Sequence, residues 1–314
     1  MTQGTAEILS SAELMAEYRS KRLPIVTQKL QFEGVEGRDV YNITAPFEDD
    51  GELVIAGRVE NRDTEYSDVL FFTCQDGTWR PRTSARVFRN LQDPFVTRIR
   101  GQLVFGGVEV WPNPIDPNRI EYRTAFYRGD NVEDLRLFAV GPQYMKDIRL
   151  IELPDGRLGV FTRPSGSGYG FGKIGFTTIG DFDDLTPWAI AHAPLIQNCF
   201  VDDEWGGPNE LHLLSNGLIG VLGHIACFDS QGNRHYRSMV FSFDPVSRAT
   251  SQIKVIASRD DFEPGAAKRP DLVDVLFSGG LVRRPDGMAE LYAGVSDAEA
   301  HKAVIVDPFI EYEH

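Results

Sequence analysis

The sequence predicts an all-β protein, a five-bladed β-propeller preceded by a short N-terminal helix. Three observations carry this. Helical periodicity ends near residue 23. Beyond it, short runs rich in Val, Ile, Phe and Leu alternate with Gly, Pro, Asp and Asn turns, the pattern of β-hairpins. These hairpins repeat as five units, each opening on a polar residue, running on as a strand, turning at glycine and returning as a second strand. The units open at Asn42, Asp93, Asp147, Glu210 and Asp274, roughly 50 to 65 residues apart, which suits four-stranded blades with insertions.

Taken in order, Ser10 and Glu13 have capping-box spacing and Leu14, Tyr18 and Leu23 follow at helical intervals, which predicts a helix over 10–22. Unit one is YNITAPFEDDGELVIAGRVE, turning at Gly51, and unit two is LQDPFVTRIRGQLVFGG, turning at Gly101. Unit three, MKDIRLIELPDGRLGVFTRPSG, sets Lys146 and Asp147 ahead of a hairpin that turns at Gly156. Unit four is NELHLLSNGLIGVLGH and unit five DVLFSGGLVRRPDGMAELYAGVSD. The whole chain, 1–314, reads as one domain with the propeller over about 40–307. In a propeller the innermost strand of every blade lines one channel, so the polar heads are expected to converge there. Taken singly, each is equally a turn-capping residue.

Composition narrows the function. With 42% hydrophobic residues the chain can build a large core, and a net charge of -14 disfavours nucleic acid and anionic membranes as partners. The odd set Cys74, Cys199 and Cys227 has no C-x-x-C spacing and gives neither a disulfide framework nor a zinc site. The N-terminus has no basic start followed by an apolar run, and no stretch approaches a spanning helix. These features predict a cytoplasmic protein, compatible with a homo-oligomer.

Several residues are candidates for chemistry. Asp93 is fixed by Pro94, and desolvation in a funnel would raise its pKa towards proton donation. Asp147 follows Lys146, which could bind an anion. VDDEWGGPNEL gathers Glu204 and Glu210 around Trp205, a mix that suits sugars through hydroxyl hydrogen bonds and ring stacking. His224 lies in an apolar run, and Asp297 closes the last strand. GSGYGFGK over 166–173 departs from a phosphate loop at Ser167 and Ile174 and reads as a rim loop. DFDDLT lacks the glycine of a calcium loop, so no metal is expected.

In order, these pieces resemble the five-bladed propellers of glycoside hydrolase family 130, the β-mannoside phosphorylases and mannosidases. GELVIAGRVE resembles the first-blade strand and places Arg58 and Glu60. QDPFVTRI resembles the acid segment, which implies Asp93 as general acid, although Gln92 and Phe95 stand where the family has Glu and Arg. MKDIRLIEL resembles the third-blade segment whose Lys contacts phosphate, implying Lys146. The fourth-blade segment gives His224 and Tyr236, and the last blade gives Asp297. GGVEVWPNP lacks the Arg-Asn pair that carries anion ligands in phosphorylases.

The resemblance thus implies an inverting glycosidase or glycoside phosphorylase acting on a β-mannoside-like oligosaccharide. Asp93, Asp147 and Glu210 are the expected catalytic residues. Asn42, Arg58, Glu60, Lys146, Glu204, Trp205, His224, Tyr236 and Asp297 are the expected substrate-binding set, with Lys146, His224 and Arg58 forming a cationic corner. No organic cofactor is implied, and inorganic phosphate is a candidate co-substrate. The alternative is a sugar-binding propeller without catalysis.

Overall fold

The computed structural model describes residues 8–116, 118–197 and 199–313. Helix α1 runs over Ser11–Lys21, with the capping box between Ser10 and Glu13 formed as the spacing predicts. The first residues of the segment read as lacking a leader lie outside the described residues. The regular structure after α1 is β-strand apart from one five-residue helix, Pro187–Ala191, and four short 3-10 turns among the described residues.

The strands form a propeller arrangement of antiparallel sheets. The second unit is the meander Leu91–Ile99, Gln102–Pro112, Ile120–Gly129 and Arg136–Val140. The third has three strands, Arg149–Glu152, Leu158–Thr162 and Gly175–Ile179. The fourth runs Trp205–Leu213, Ile219–Phe228, Arg234–Phe243 and Lys254–Ala257. The last comprises Leu276–Arg283, Met288–Val295 and Glu299–Val306, and its outer place is taken by Val26–Lys29 from the start of the chain, with Val26 opposite Val304.

The first unit departs from this form. Glu52–Glu60 and Asp68–Gln75 pair as expected, but the very short strands around them enlarge the unit to a seven-stranded sheet, in which Gln31–Phe32 pairs in parallel with Thr78–Pro81. The expectation of five like blades is therefore corrected to four plain blades and one enlarged sheet.

Local chemistry explains the hairpins. Asp50-Gly51, Asp76-Gly77 and Arg100-Gly101 each form a two-residue loop with positive φ at both residues, which type I′ turns demand and glycine meets without strain. Between neighbouring sheets lie apolar clusters. Phe71 and Phe105 meet between the first and second units, and Phe126 and Leu150 between the second and third. Phe161 and Phe241 join the third and fourth, where Leu14 and Met15 of α1 add to the core. Leu222 and Leu291 join the fourth and last, and Ile55 and Tyr292 join the last to the first. Burial of these faces, at about 25 cal/mol per Å², drives the sheets into a ring.

The inner strands carry the feature that builds the site. Asn42, Asp93 and Asp147 all adopt positive φ, 45°, 48° and 57°, a region in which Asn and Asp are the least strained of the side-chain-bearing residues. In the second unit Asp93 and Pro94 together oppose the single residue Gly107, a β-bulge. A Cβ at Gly107 would sit 2.7 Å from the Gln92 carbonyl oxygen, so the bulge needs glycine opposite it. Equivalent register shifts fall at Asn209 in the fourth unit and Gly279 in the last. The heads of those two units are thus Asn209 and Gly279, correcting Glu210 and Asp274.

Candidate active site

A cavity of about 250 Å³ opens at the head end of the inner strands. Seven of the expected residues line it: Asn42, Arg58, Asp93, Lys146, His224, Tyr236 and Asp297. They come from every unit of the ring, but of the five expected polar heads only Asn42 and Asp93 are among them.

Asp93 is buried and held from two sides. Its Oδ1 accepts from Asn42 Nδ2 at 2.8 Å and from Arg58 Nη1 at 3.1 Å, and Lys146 Nζ lies 3.9 Å from Oδ2. Burial alone would raise its pKa, but Arg58 and Lys146 outweigh burial and hold it at about 2. The expectation that desolvation leaves Asp93 protonated is corrected: its pKa makes it a carboxylate. The carboxyl that burial does raise is Asp297, to about 6, with Arg58 opposing the shift and the Asp93 charge adding to it.

Arg58 is fully engaged. Its Nε and Nη2 reach Glu60 Oε2 at 2.8 and 2.5 Å, while Glu60 also accepts from Tyr41 at 3.0 Å and pairs with buried Lys268. Glu60 therefore lies behind the cavity as the counter-ion of Arg58 and Lys268 and is not a substrate ligand. Asp147 also lies beneath the cavity. It is only 1% exposed, neither carboxylate oxygen accepts a hydrogen bond among the described residues, and Oδ2 sits 3.3 Å from Arg163 Nη1. Burial raises its pKa, but Arg163 and Lys146 bring it below the ordinary carboxylate value. A group so enclosed neither meets substrate nor trades protons with it, so the expected catalytic Asp147 is corrected to a buried counter-ion.

His224 lines the cavity but is neutral. Burial and the neighbouring cations drive its pKa down to about 3, against the pull of Asp147. Its Nδ1 is 2.9 Å from Asn209 Oδ1 and its ring stacks on Tyr236 at 5.3 Å. The expected cationic corner of Lys146, His224 and Arg58 is therefore reduced to Lys146. Its ammonium makes no hydrogen bond within the described residues and has its nearest carboxylate oxygen at 3.9 Å. Beside it, the Tyr236 hydroxyl accepts from Trp205 Nε1 at 3.2 Å, which leaves its own proton free to donate.

Three expected residues lie elsewhere. Glu204 accepts the Ser11 backbone N–H at 2.8 Å with both oxygens and anchors the start of α1, a favourable place for a carboxylate. Glu210 accepts from the Leu281 backbone N–H at 2.7 Å and lies 2.7 Å from His212 Nε2. It lines a separate cavity further along the inner strands, one residue past the bulge at Asn209. Trp205 is buried one layer behind Tyr236.

Sequence reasoning missed the arginines. Arg163 lines the cavity and is fixed by the Gly206 and Phe171 carbonyls, each at 3.0 Å. Arg234 and Arg269 stand at the rim, paired with Asp271 at 2.6 and 3.1 Å, and Arg269 also pairs with Glu65 at 2.7 Å. The signal for Arg163 was present as a charge closing the apolar strand before Pro164. Arg234, at the very start of a strand, and Arg269, in a loop, left none.

A family model described as protein of unknown function (DUF1861) matches residues 17–311. No curated protein matches the sequence. Among solved structures, a mannose phosphorylase from Leishmania mexicana, MPT-4, in complex with phosphate ion, is 36% identical with a TM-score of 0.89, covering 96% of this chain and 95% of its own. MPT-1 from the same organism, a GDP-Man-dependent mannosyltransferase, is 33% identical with a TM-score of 0.88 over 98% of both chains. A β-1,2-mannobiose phosphorylase from Listeria innocua shares the fold at 13% identity, with a TM-score of 0.58 over 91% of this chain and 92% of its own.

Proposed function

We propose that this chain, which belongs to the DUF1861 family, is a mannoside phosphorylase of the glycoside hydrolase family 130 clan. In this reading the seven-stranded sheet takes the place of a fifth blade. The observation that carries the proposal is Lys146: one ammonium without a close counter-ion, beside the free Tyr236 proton and Arg163, next to the carboxylate Asp93. That set offers a site for a single phosphoryl group centred on Lys146, since Arg58, Arg163, Arg234 and Arg269 are all paired with internal carboxylates. The similarity to a mannose phosphorylase solved with phosphate supports it.

Asp93 acts as the acid–base. In the synthetic direction the ionised Asp93 takes the proton of an acceptor hydroxyl as that oxygen bonds to the anomeric carbon. The bond from that carbon to phosphate breaks, and phosphate departs to Lys146 and Arg163. Phosphorolysis is the reverse, with protonated Asp93 donating to the leaving oxygen. A bound phosphate dianion pairs with Lys146 and weakens the hold of that cation on Asp93, which moves its pKa upward when phosphorolysis needs the proton. Asp297, Asn42 and His224 accept or donate to sugar hydroxyls.

The test is turnover of a β-mannoside panel with and without phosphate, for wild type and Asp93→Asn. Products bearing phosphate, lost by about 10² to 10⁴ in Asp93→Asn with the fold retained, are expected. Release of free mannose regardless of phosphate would make the protein a hydrolase. Binding without turnover would leave a sugar-binding propeller.

A further inference from the structure

Beside the cavity mouth is an aromatic cluster that the chemistry above does not use. Phe171 and Phe228 are 57% and 39% exposed, and their ring centroids are 5.3 Å apart. Both rest on buried Trp205, with centroids 5.1 and 4.7 Å away. The Trp205 indole N–H is given to Tyr236, whose side chain lines the cavity. The cluster is therefore one aromatic layer from the wall of the site.

The backbone holds this arrangement in place. Phe171 is displayed by the segment 166–172, whose four glycines have φ of 92°, 85°, 58° and 148°, a path that side-chain-bearing residues resist. The segment is closed by the Gly166 N–H to Gly170 carbonyl bond at 2.9 Å and the Lys173 N–H to Pro164 carbonyl bond at 3.0 Å. Arg163 donates to the Phe171 carbonyl at 3.0 Å, so a cavity cation also fixes the Phe171 backbone. On the other flank the Arg234 guanidinium lies 5.7 Å from the Phe228 ring centroid and lines the cavity. Asp229 and Asn233 stand next to it, joined at 2.9 Å.

We propose that Phe171 and Phe228 form a sugar subsite that takes a pyranose unit of an oligosaccharide whose terminal unit occupies the cavity. A pyranose presents an apolar C–H face and a hydroxyl edge. Exposed rings beside guanidinium and carboxylate groups offer both complements. The cavity, at about 250 Å³, falls below the roughly 300 to 1,000 Å³ of ordinary ligand pockets, so a chain longer than its terminal unit has to continue outside it. Continuity through Arg163, Tyr236 and Arg234 directs that chain over the two rings. The inference rests on the mannoside reading and adds to it a preference for longer chains.

The experiment compares wild type, Phe171→Ala, Phe228→Ala and Phe171→Tyr on β-mannosides of two to five units. It follows turnover, oligosaccharide binding by quenching of tryptophan emission, and the phosphate-induced rise in melting temperature. Losing one stacked ring face corresponds to about a fivefold to tenfold loss of affinity. That loss is expected for the longer chains in both alanine variants, with the disaccharide and the phosphate response unchanged and Phe171→Tyr near wild type. Equal effects on all lengths, or none, overturn the subsite. If wild type binds long chains through these rings but turns none over, the subsite stands and the phosphorylase reading falls. If it binds no chain of any length, the subsite falls.

Discussion

Replacing Asp297 by Asn removes a charge that the fold carries at a loss. Asp297 lines the cavity, sits at a φ of 50° that Asn tolerates equally well, and makes no hydrogen bond or ion pair within the described residues. Burial, aided by the Asp93 carboxylate and opposed by Arg58 and Lys268, raises its pKa to about 6. A carboxyl raised in the folded state binds its proton more tightly there than in the unfolded chain. Its stabilising contribution is present in full below the unfolded value near 3.8 and is lost as pH climbs through about 6. The shift is about two units at roughly 1.36 kcal/mol each, so ionisation costs at most about 3 kcal/mol, and about half that once cavity water screens the charge. For 314 residues, an unfolding entropy of about 2.1 cal/mol/K per residue makes 1.5 kcal/mol worth roughly 2 °C. Calorimetric melts of wild type and Asp297→Asn at pH 5 and pH 8 test this. The variant should melt about 2 °C higher than wild type at pH 8 and about half as much higher at pH 5, where the unfolded carboxyl is already ionised. The same difference at both pH values would refute a buried titrating carboxyl.

Two other perturbations read the cations. Lys146→Ala should leave the melting temperature within about 2 °C of wild type, because its nearest ion pair is long, yet abolish stabilisation by phosphate; a phosphate response equal to wild type would place the anion elsewhere. Asp147→Asn leaves Arg163 without its buried counter-ion and should cost about 3 to 5 kcal/mol in urea unfolding, whereas a loss below about 1 kcal/mol would show that water reaches the pair.

What could be read from the sequence was local or repeated. The α1 capping box and the Asp-Gly hairpins are decided by neighbouring residues, and both appear where spacing puts them. Asn42, Asp93 and Asp147 were found because three inner strands reuse one backbone twist. The fourth head was misplaced by one residue, from Asn209 to Glu210, because a bulge is fixed by the partner strand and not by the strand that carries it. The acidic run around Trp205 looked sugar-binding by composition, yet Glu204 serves a helix start far away in sequence. Strands as short as Gln31–Phe32 and Phe88–Arg89 show no alternation, so the enlarged first sheet was invisible. The charge state of Asp93 depended on Arg58 and Lys146 arriving from two other sheets, which no single stretch records.

The pairing of Val26–Lys29 with Glu299–Val306 makes the ring a clasp whose two halves lie far apart along the chain. Until the last strand leaves the ribosome, the strand that completes its sheet waits unpaired, and the apolar faces of Ile55 and Tyr292 remain apart. Arg58 and Asp297 stand on either side of that seam. The cavity therefore stays open on one side until that seam closes, however many of the sheets are already built. A cut beside either of the two paired strands should open the cavity before it melts the remaining sheets.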